Sequence, residues 1–229
     1  MAYGILIDIG GESELDADDA AVRELEPGRD STSVWVIEYD PAEAVPDHGY
    51  HTVRVVTGEH WTGKKHLALT DGDRGTLDDL VELCRHWQVQ SGVCDARGVG
   101  HAVAKALRRR VPAVDAYEAS GVSVSEDCYD LLARLNAGTV TMWKADPAAD
   151  EVLREMADQA RWTRYAISGH ELLKITKPTG VGSTDRHIDL VKALTYLHRA
   201  MSQPHSGLMQ HLRQQIAARK EEQDDSGST

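Results

Sequence analysis

A carboxylate sits inside an apolar run near the start of the chain: Ile5-Leu6-Ile7-Asp8-Ile9, followed at once by Gly10-Gly11. The run has the length and composition of a buried strand, and an isolated carboxylate in such a place is expensive unless it is paired or holds a metal. The simplest resolution puts Asp8 at the strand end, exposed or capping the glycine turn. Val93-Cys94-Asp95-Ala96-Arg97-Gly98 repeats the arrangement, with a carboxylate closing a short apolar strand before a turn that needs small residues. In α/β sheets that edge is where ligands bind. A third acid, Asp189, is read as one turn into a terminal helix within Asp185-Arg-His-Ile-Asp189-Leu-Val-Lys-Ala-Leu194, where a solvated helix face is the ordinary alternative. Jointly the three point further. Two strand-end carboxylates and one on the inner face of a terminal helix converge on one sheet edge as hard oxygen ligands for Mg²⁺ or Mn²⁺. Two such ions about 3.5–4 Å apart suit phosphodiester hydrolysis. Asp185, four residues before Asp189, is read either as a fourth ligand on the same helix face or as the helix N-cap.

Hydrophobic periodicity gives the frame around these acids. Tyr3 to Ile9, Ser33 to Glu38 and Tyr50 to Thr57 read as strands. Thr76 opens a helical pattern through Leu77, Leu80, Val81 and Cys84 as a candidate N-cap. Gly92 to Asp95 is a strand, followed from Gly98 by a helix through Val103, Ala104 and Leu107. Val111 to Tyr117 reads as a strand, Glu126 to Asn136 as a helix closed by Gly138, and Thr139 to Trp143 as extended. Pro147 to Ala160 reads as a helix, Arg164 to Ile167 and Glu171 to Thr176 as a hairpin, and Asp185 to Ala200 as a strongly amphipathic helix. The order predicts an α/β mixed central sheet flanked by helices, in a domain spanning residues 1–202. Residues 11–30 form an acidic loop inserted after the first strand, and 203–229 a polar tail expected to be disordered.

Composition narrows the chemistry. The 229 residues carry a formal charge of −12, which at face value opposes nucleic-acid binding. Nine of those charges lie in residues 1–40, so the remaining body is near neutral with local basic clusters: Lys105, Arg108, Arg109 and Arg110, then Lys174, Lys177 and Arg186. Three cysteines (Cys84, Cys94, Cys128) without CxxC spacing argue against a disulfide framework or zinc knuckle and for a reduced, intracellular protein. No segment is long and apolar enough for a membrane span, so no membrane association is expected. Gly58-Glu-His-Trp-Thr-Gly63-Lys64-Lys65 fits the outline of a phosphate-binding loop, yet Lys65 replaces the hydroxyl residue that would meet Mg²⁺ and no helix follows. It is read as a hairpin turn with two exposed lysines, and no ATP site is expected. There is no G-x-S-x-G elbow and no H-E-x-x-H. His187 is read as a surface residue able to contact substrate, and Trp61, Trp87, Trp143 and Trp162 as core or hairpin residues.

The element order, Asp8 in the first strand, the Asp95-Ala-Arg-Gly-Val-Gly100 turn entering a basic helix, Tyr129-Asp-Leu-Leu-Ala-Arg-Leu-Asn-Ala-Gly138, and the closing Asp185 to Leu194 segment together resemble the C-terminal nuclease domain of tailed-bacteriophage terminase large subunits, which has the RNase H-like fold. The resemblance spans about Tyr3 to Ala200. It implies that Asp8, Asp95 and Asp189 bind two Mg²⁺ or Mn²⁺ ions in an endonuclease that cuts double-stranded DNA during viral genome packaging. Lys174, Lys177 and Arg186, with Lys105, Arg108 and Arg109, are then candidate contacts to the DNA backbone. The implied setting is the cytoplasm of the infected bacterial host, with a portal protein and a small terminase subunit as partners. The N-terminal packaging ATPase of whole large subunits is absent from this chain, which is read as the nuclease domain alone. Family members pass quickly from the first Asp through glycines to an Asp-Ser/Thr strand; here eighteen residues separate Gly11 from Asp30-Ser31-Thr32. Two other readings share parts of the pattern: another RNase H-like phosphodiesterase such as a junction resolvase or an RNase H proper, and a non-catalytic module docking the motor to the portal. With most of its acidity beside Asp8, the domain is expected to bind DNA weakly and with strong salt dependence, helped by divalent metal.

Overall fold

The computed structural model describes residues 1–11, 30–42, 50–67, 74–98, 100–143, 150–168, 172–176 and 187–202. Most of the acidic segment, Lys177, Asp185, Arg186 and the tail after Ser202 lie outside them. Among the described residues, a six-stranded sheet has the order β5-β4-β1-β2-β3-β6, built from β1 (Ala2–Asp8), β2 (Ser31–Tyr39), β3 (Val53–Thr62), β4 (Ser91–Asp95), β5 (Val114–Tyr117) and β6 (Val140–Met142). β1, β2 and β3 pair antiparallel, whereas β4 lies parallel to β1, β5 parallel to β4 and β6 parallel to β3. The sheet is therefore mixed, as the sequence predicts. Six helices are described: α1 (Thr76–His86), α2 (Gly100–Arg110), α3 (Gly121–Ala137), α4 (Glu151–Trp162), α5 (Asp189–Leu194) and α6 (Leu197–Ser202). A separate antiparallel pair, β7 (Arg164–Ile167) and β8 (Leu173–Thr176), forms the expected hairpin and packs against α3. No helix among the described residues is long and apolar enough to cross a membrane.

Strand alternation divides the core. Ile5 and Ile7 of β1, Val34 and Val36 of β2 and Cys94 of β4 pack against Leu77, Leu80 and Val81 of α1 and Val103, Ala104 and Leu107 of α2. Leu6, Trp35, Ile37 and Val93 face the other way, onto Leu131 of α3, Leu190 and Leu194 of α5 and Leu197 of α6. All nine residues of β2 are buried, so this strand is covered on both faces. Each fully buried Leu or Ile contributes about 1.5–3 kcal/mol. The same alternation puts Asp8 and Asp95 on the α5/α6 face, since each follows by one residue a side chain, Ile7 or Cys94, that packs toward α1 and α2.

Several boundaries differ from those read in the sequence. β3 runs through Gly58 to Thr62, so the glycine-bounded lysine segment is a strand end and not a hairpin. Gly58 is there because a Cβ would lie 2.4 Å from the Trp35 ring, so the missing side chain makes room for an indole. Lys64 is not a free surface lysine: it pairs with Asp79 and lies 4.7 Å over the Trp61 ring. Gly75, not Thr76, caps α1; its N–H donates to the Asp78 carboxylate, while the Thr76 hydroxyl donates to the Lys65 carbonyl. α3 begins five residues earlier than read, where the Ser120 hydroxyl accepts from Ser123 N–H, and ends as expected at Gly138 with φ +65°. β5 starts at Val114, because Val111 to Ala113 make a turn.

The terminal helix departs most. It is two short helices broken at Thr195 and Tyr196, and it begins at Asp189 with Ile188 in the cap position. Asp189 is thus the first helical residue rather than one turn in, and Asp185 lies outside the described residues. What fixes this start is a buried amide: Gln159 of α4, fully buried, accepts the Leu190 N–H at 2.9 Å and donates to Glu155. From the sheet, the Trp35 indole donates to the Leu190 carbonyl at 2.8 Å. Gln159→Ala strands the Leu190 N–H and is expected to cost about 1–3 kcal/mol, read as a thermal midpoint lowered by about 2–10 °C. An unchanged midpoint would show that this amide does not anchor the helix.

Candidate metal centre

The parallel ladder pairs Ile7 with Cys94, so Asp8 and Asp95 come next on adjacent strands, side by side at their carboxyl ends. The Lys192 ammonium joins them, 2.7 Å from Asp8 Oδ1, 3.0 Å from Oδ2 and 3.6 Å from Asp95 Oδ2. The Tyr196 hydroxyl donates to Asp95 Oδ2 at 3.2 Å and reaches Asp8 Oδ1 at 3.5 Å. Asp95 also accepts from Arg97, through its backbone N–H at 3.0 Å and its Nε at 3.3 Å. The tight Asp95 turn depends on Gly100, whose Cβ would lie 2.5 Å from the Asp95 carbonyl oxygen.

Asp189 approaches from the other side. Its carboxylate accepts the Ser31 N–H at 3.0 Å, which ties the start of α5 to the start of β2. His187 Nδ1 is 3.6 Å from Asp189 Oδ2 and 3.8 Å from Asp30 Oδ1. Among the described residues, Asp30, His187 and Asp189 are the one set of three or more metal-binding side chains whose ligand atoms lie within 4.8 Å of one another. Asp8, Asp95 and Asp189 share the sheet edge without closing to that limit, and Lys192 stands between the first two.

Electrostatics separate the carboxylates. Burial pushes the Asp8 pKa up to about 7; Lys192 opposes the rise, while Asp189 and Asp95 add repulsion. Asp95 goes the other way, because the opposing effect of burial is outweighed by the Lys192 and Arg97 charges and the Arg97 hydrogen bonds. Asp189 is raised by burial, offset in part by the Ser31 N–H. Burial would discharge Lys192, but Asp8, Asp95 and Asp189 overcome it and hold the ammonium charged. Burial and the two neighbouring carboxylates drive the Tyr196 phenol far above its ordinary value, so it remains a donor.

A divalent cation suits this site on three observations. The donors are carboxylates with one imidazole. A positive charge already bridges Asp8 and Asp95. Finally, the Ser33 hydroxyl, fully buried on the face of Trp35 and paired in register with Asp8, has no hydrogen-bond partner among the described residues. An orphaned hydroxyl beside a carboxylate cluster suits a centre that holds ligands of its own.

Of the basic residues singled out in the sequence, Lys174 on β8 lines a cavity with Lys192 and Tyr196. Lys105, Arg108 and Arg109 lie on α2, whose core contacts are to the opposite face of the sheet, and Arg108 pairs with Asp115. Lys177, Arg186 and Asp185 lie outside the described residues. The side chains missed in the sequence are Lys192, Tyr196, Arg97 and Asp30, while His187 was named but read as a surface residue. Lys192 had a signal, since it follows Asp189 by three residues and so shares its helix face. Asp30 had none, because it reads as one more acid of the loop, and His187 is largely covered rather than on the surface.

Mixed sheet order, helices on both faces and carboxylates at the ends of β1 and β4 define an RNase H-like α/β domain. The solved structures it is similar to include the large terminase nuclease from thermophilic phage G20c with bound magnesium, at 19% identity over 88% of this chain and 81% of that chain, TM-score 0.54. The cobalt-bound form of the same protein gives the same values. A lysine-to-alanine variant of the large terminase subunit of bacteriophage Sf6 with calcium matches at 13% identity over 89% of both chains, TM-score 0.51. At these identities the likeness establishes the fold. No protein-family model matches the sequence, and no curated protein is significantly similar to it.

The raised Asp8 pKa has a consequence for stability. An acid whose folded pKa exceeds its unfolded value contributes stability that is complete below about pH 4 and is lost as pH rises through about 7. In metal-free buffer, Asp8→Asn is therefore expected to be more stable than wild type at pH 8, by at most about 4 kcal/mol, with the gap closing toward pH 5. Denaturant titrations at both pH values check this. A gap larger at pH 5 than at pH 8 would contradict it.

Proposed function

We propose that this chain is a metal-dependent endonuclease that cuts double-stranded DNA during viral genome packaging. One observation carries the reading: Asp8 and Asp95 lie side by side at the ends of parallel strands, bridged by an ammonium, with Asp189 on the same sheet edge of an RNase H-like domain. The magnesium and cobalt named for the phage G20c nuclease extend the proposal to the cofactor, two Mg²⁺ or Mn²⁺ ions held by Asp8, Asp95 and Asp189, with Asp30 and His187 as further donors to Asp189's ion. When bound, such ions supply activation of a water and charge stabilisation of the departing 3′ oxygen.

The protein's own groups do the rest. Asp95, held ionised by Lys192 and Arg97 against the effect of burial, provides a fixed negative charge. Asp8 releases its proton near pH 7, so metal affinity should climb as pH rises to that value. Lys192 neutralises the pair, and with a cation bound there its ammonium would be free for a phosphate oxygen. Tyr196 keeps its proton and orients the Asp95 carboxylate. Lys174 adds a cation on the approach to this edge. The domain assigned to this activity is residues 1–202, acting in the cytoplasm of the infected bacterial host, with a portal protein and a small terminase subunit as partners.

Plasmid incubated with the protein and Mn²⁺ should be cut, and Asp95→Ala should lower cleavage by a factor of 10² or more; each lost factor of ten corresponds to about 1.4 kcal/mol of transition-state stabilisation. Equal cleavage by the two proteins would remove the site assignment. A preference for junctions or RNA–DNA hybrids over linear duplex would favour the other RNase H-like activities instead.

A further inference from the structure

Beside the carboxylates is a cavity of about 280 Å³, enclosed by α3, β8 and the α5–α6 segment. Its lining divides into two chemistries. Lys174, Arg97 and Lys192 supply cations, the last two also in contact with Asp95 or Asp8, while Val124, Cys128 and Ile175 supply apolar surface. Asp127 is the acid among them, and it is already satisfied: Arg199 Nε and the Tyr117 hydroxyl each donate to it at 2.7 Å. Arg97 and Lys192 are paired with the catalytic carboxylates, whereas the exposed Lys174 makes no ion pair with a described residue. The lining therefore combines an exposed cation outside any described ion pair with apolar surface.

Duplex DNA is far too wide for a space at the lower end of small-ligand pocket volumes. A phosphate alone would leave the apolar wall uncovered. One nucleotide matches both parts, with its phosphate on Lys174 and Arg97 and its base against Val124 and Ile175. We propose that this cavity receives a single unstacked nucleotide of the strand being cut, next to the bond broken at Asp8 and Asp95. The inference rests on the nuclease reading and adds a binding step to it: the strand must be opened locally, at the cost of unstacking one base, before it fits. Lys192 and Tyr196 belong to both places, since they touch the carboxylates and line the cavity. Seating the nucleotide thereby fixes the adjoining phosphate against the carboxylate edge.

The test uses the full chain and calorimetry with two probes, thymidine 5′-monophosphate and inorganic phosphate. The nucleotide should bind at least fivefold tighter than phosphate. Val124→Trp, which fills the apolar side, should weaken the nucleotide at least tenfold and leave phosphate within twofold. Lys174→Glu, on an exposed side chain, should weaken both by fivefold or more and carries the test alone should the tryptophan variant not fold. Nucleotide affinity no better than phosphate, or unchanged in Lys174→Glu, overturns the proposal. The two readings remain distinguishable: metal-dependent plasmid cleavage with no such nucleotide binding removes the cavity and leaves the nuclease. Nucleotide binding lost in both variants, with no cleavage under any metal, removes the nuclease and leaves the cavity.

Discussion

The parallel pairing of β1 with β4 is the constraint on which the rest of the site depends. It brings the Asp8 and Asp95 carboxylates together at one edge, where their mutual repulsion and their removal from water would be intolerable without a positive charge between them. Lys192 supplies that charge. The position of Lys192 depends in turn on α5, whose start is fixed by Ser31 N–H on Asp189, Gln159 on Leu190 N–H and the Trp35 indole on the Leu190 carbonyl. Sheet, buried amide and buried indole are thus parts of one device that presents a lysine to two acids.

This arrangement divides labour among the acids by environment. Asp95, with Arg97 beside it, is held ionised; Asp8, with less help and full burial, is poised near neutrality; Asp189 faces a backbone N–H and an imidazole. Such a spread is typical of functional carboxylates, where neighbouring groups push pKa values apart. It also bears on charge. The chain is acidic overall, yet Lys192 and Arg97 offset the carboxylates at the edge where they meet, and Lys174 adds a further cation to the cavity beside them.

Much of the fold was legible because its signals are local. Short apolar runs marked β1 and β4, alternation marked β2, and the helical stripe of Leu77, Leu80, Val81 and Cys84 marked α1. The errors fall where a distant residue decides. Gly58 looks like a turn until Trp35 is placed against it. The terminal helix looks continuous from Asp185 because its apolar spacing is regular, while its observed start is set by Gln159 and Trp35, far away in sequence. Asp8 and Asp95 could be singled out as strand-end acids, but Lys192 between them could not be placed, since nothing in a helix's sequence says which strand ends it will meet. The same limit hid Asp30, which becomes a neighbour of Asp189 only because the start of β2 packs against the start of α5.

The most direct measurement is the position of manganese by anomalous diffraction from crystals grown with Mn²⁺ near pH 8. The account predicts density ligated by Asp8 and Asp95, with the Lys192 ammonium displaced from both, and density on Asp189 shared with its His187 and Asp30 neighbours. Lys192 still bridging Asp8 and Asp95, with manganese confined to other parts of the surface, would contradict it.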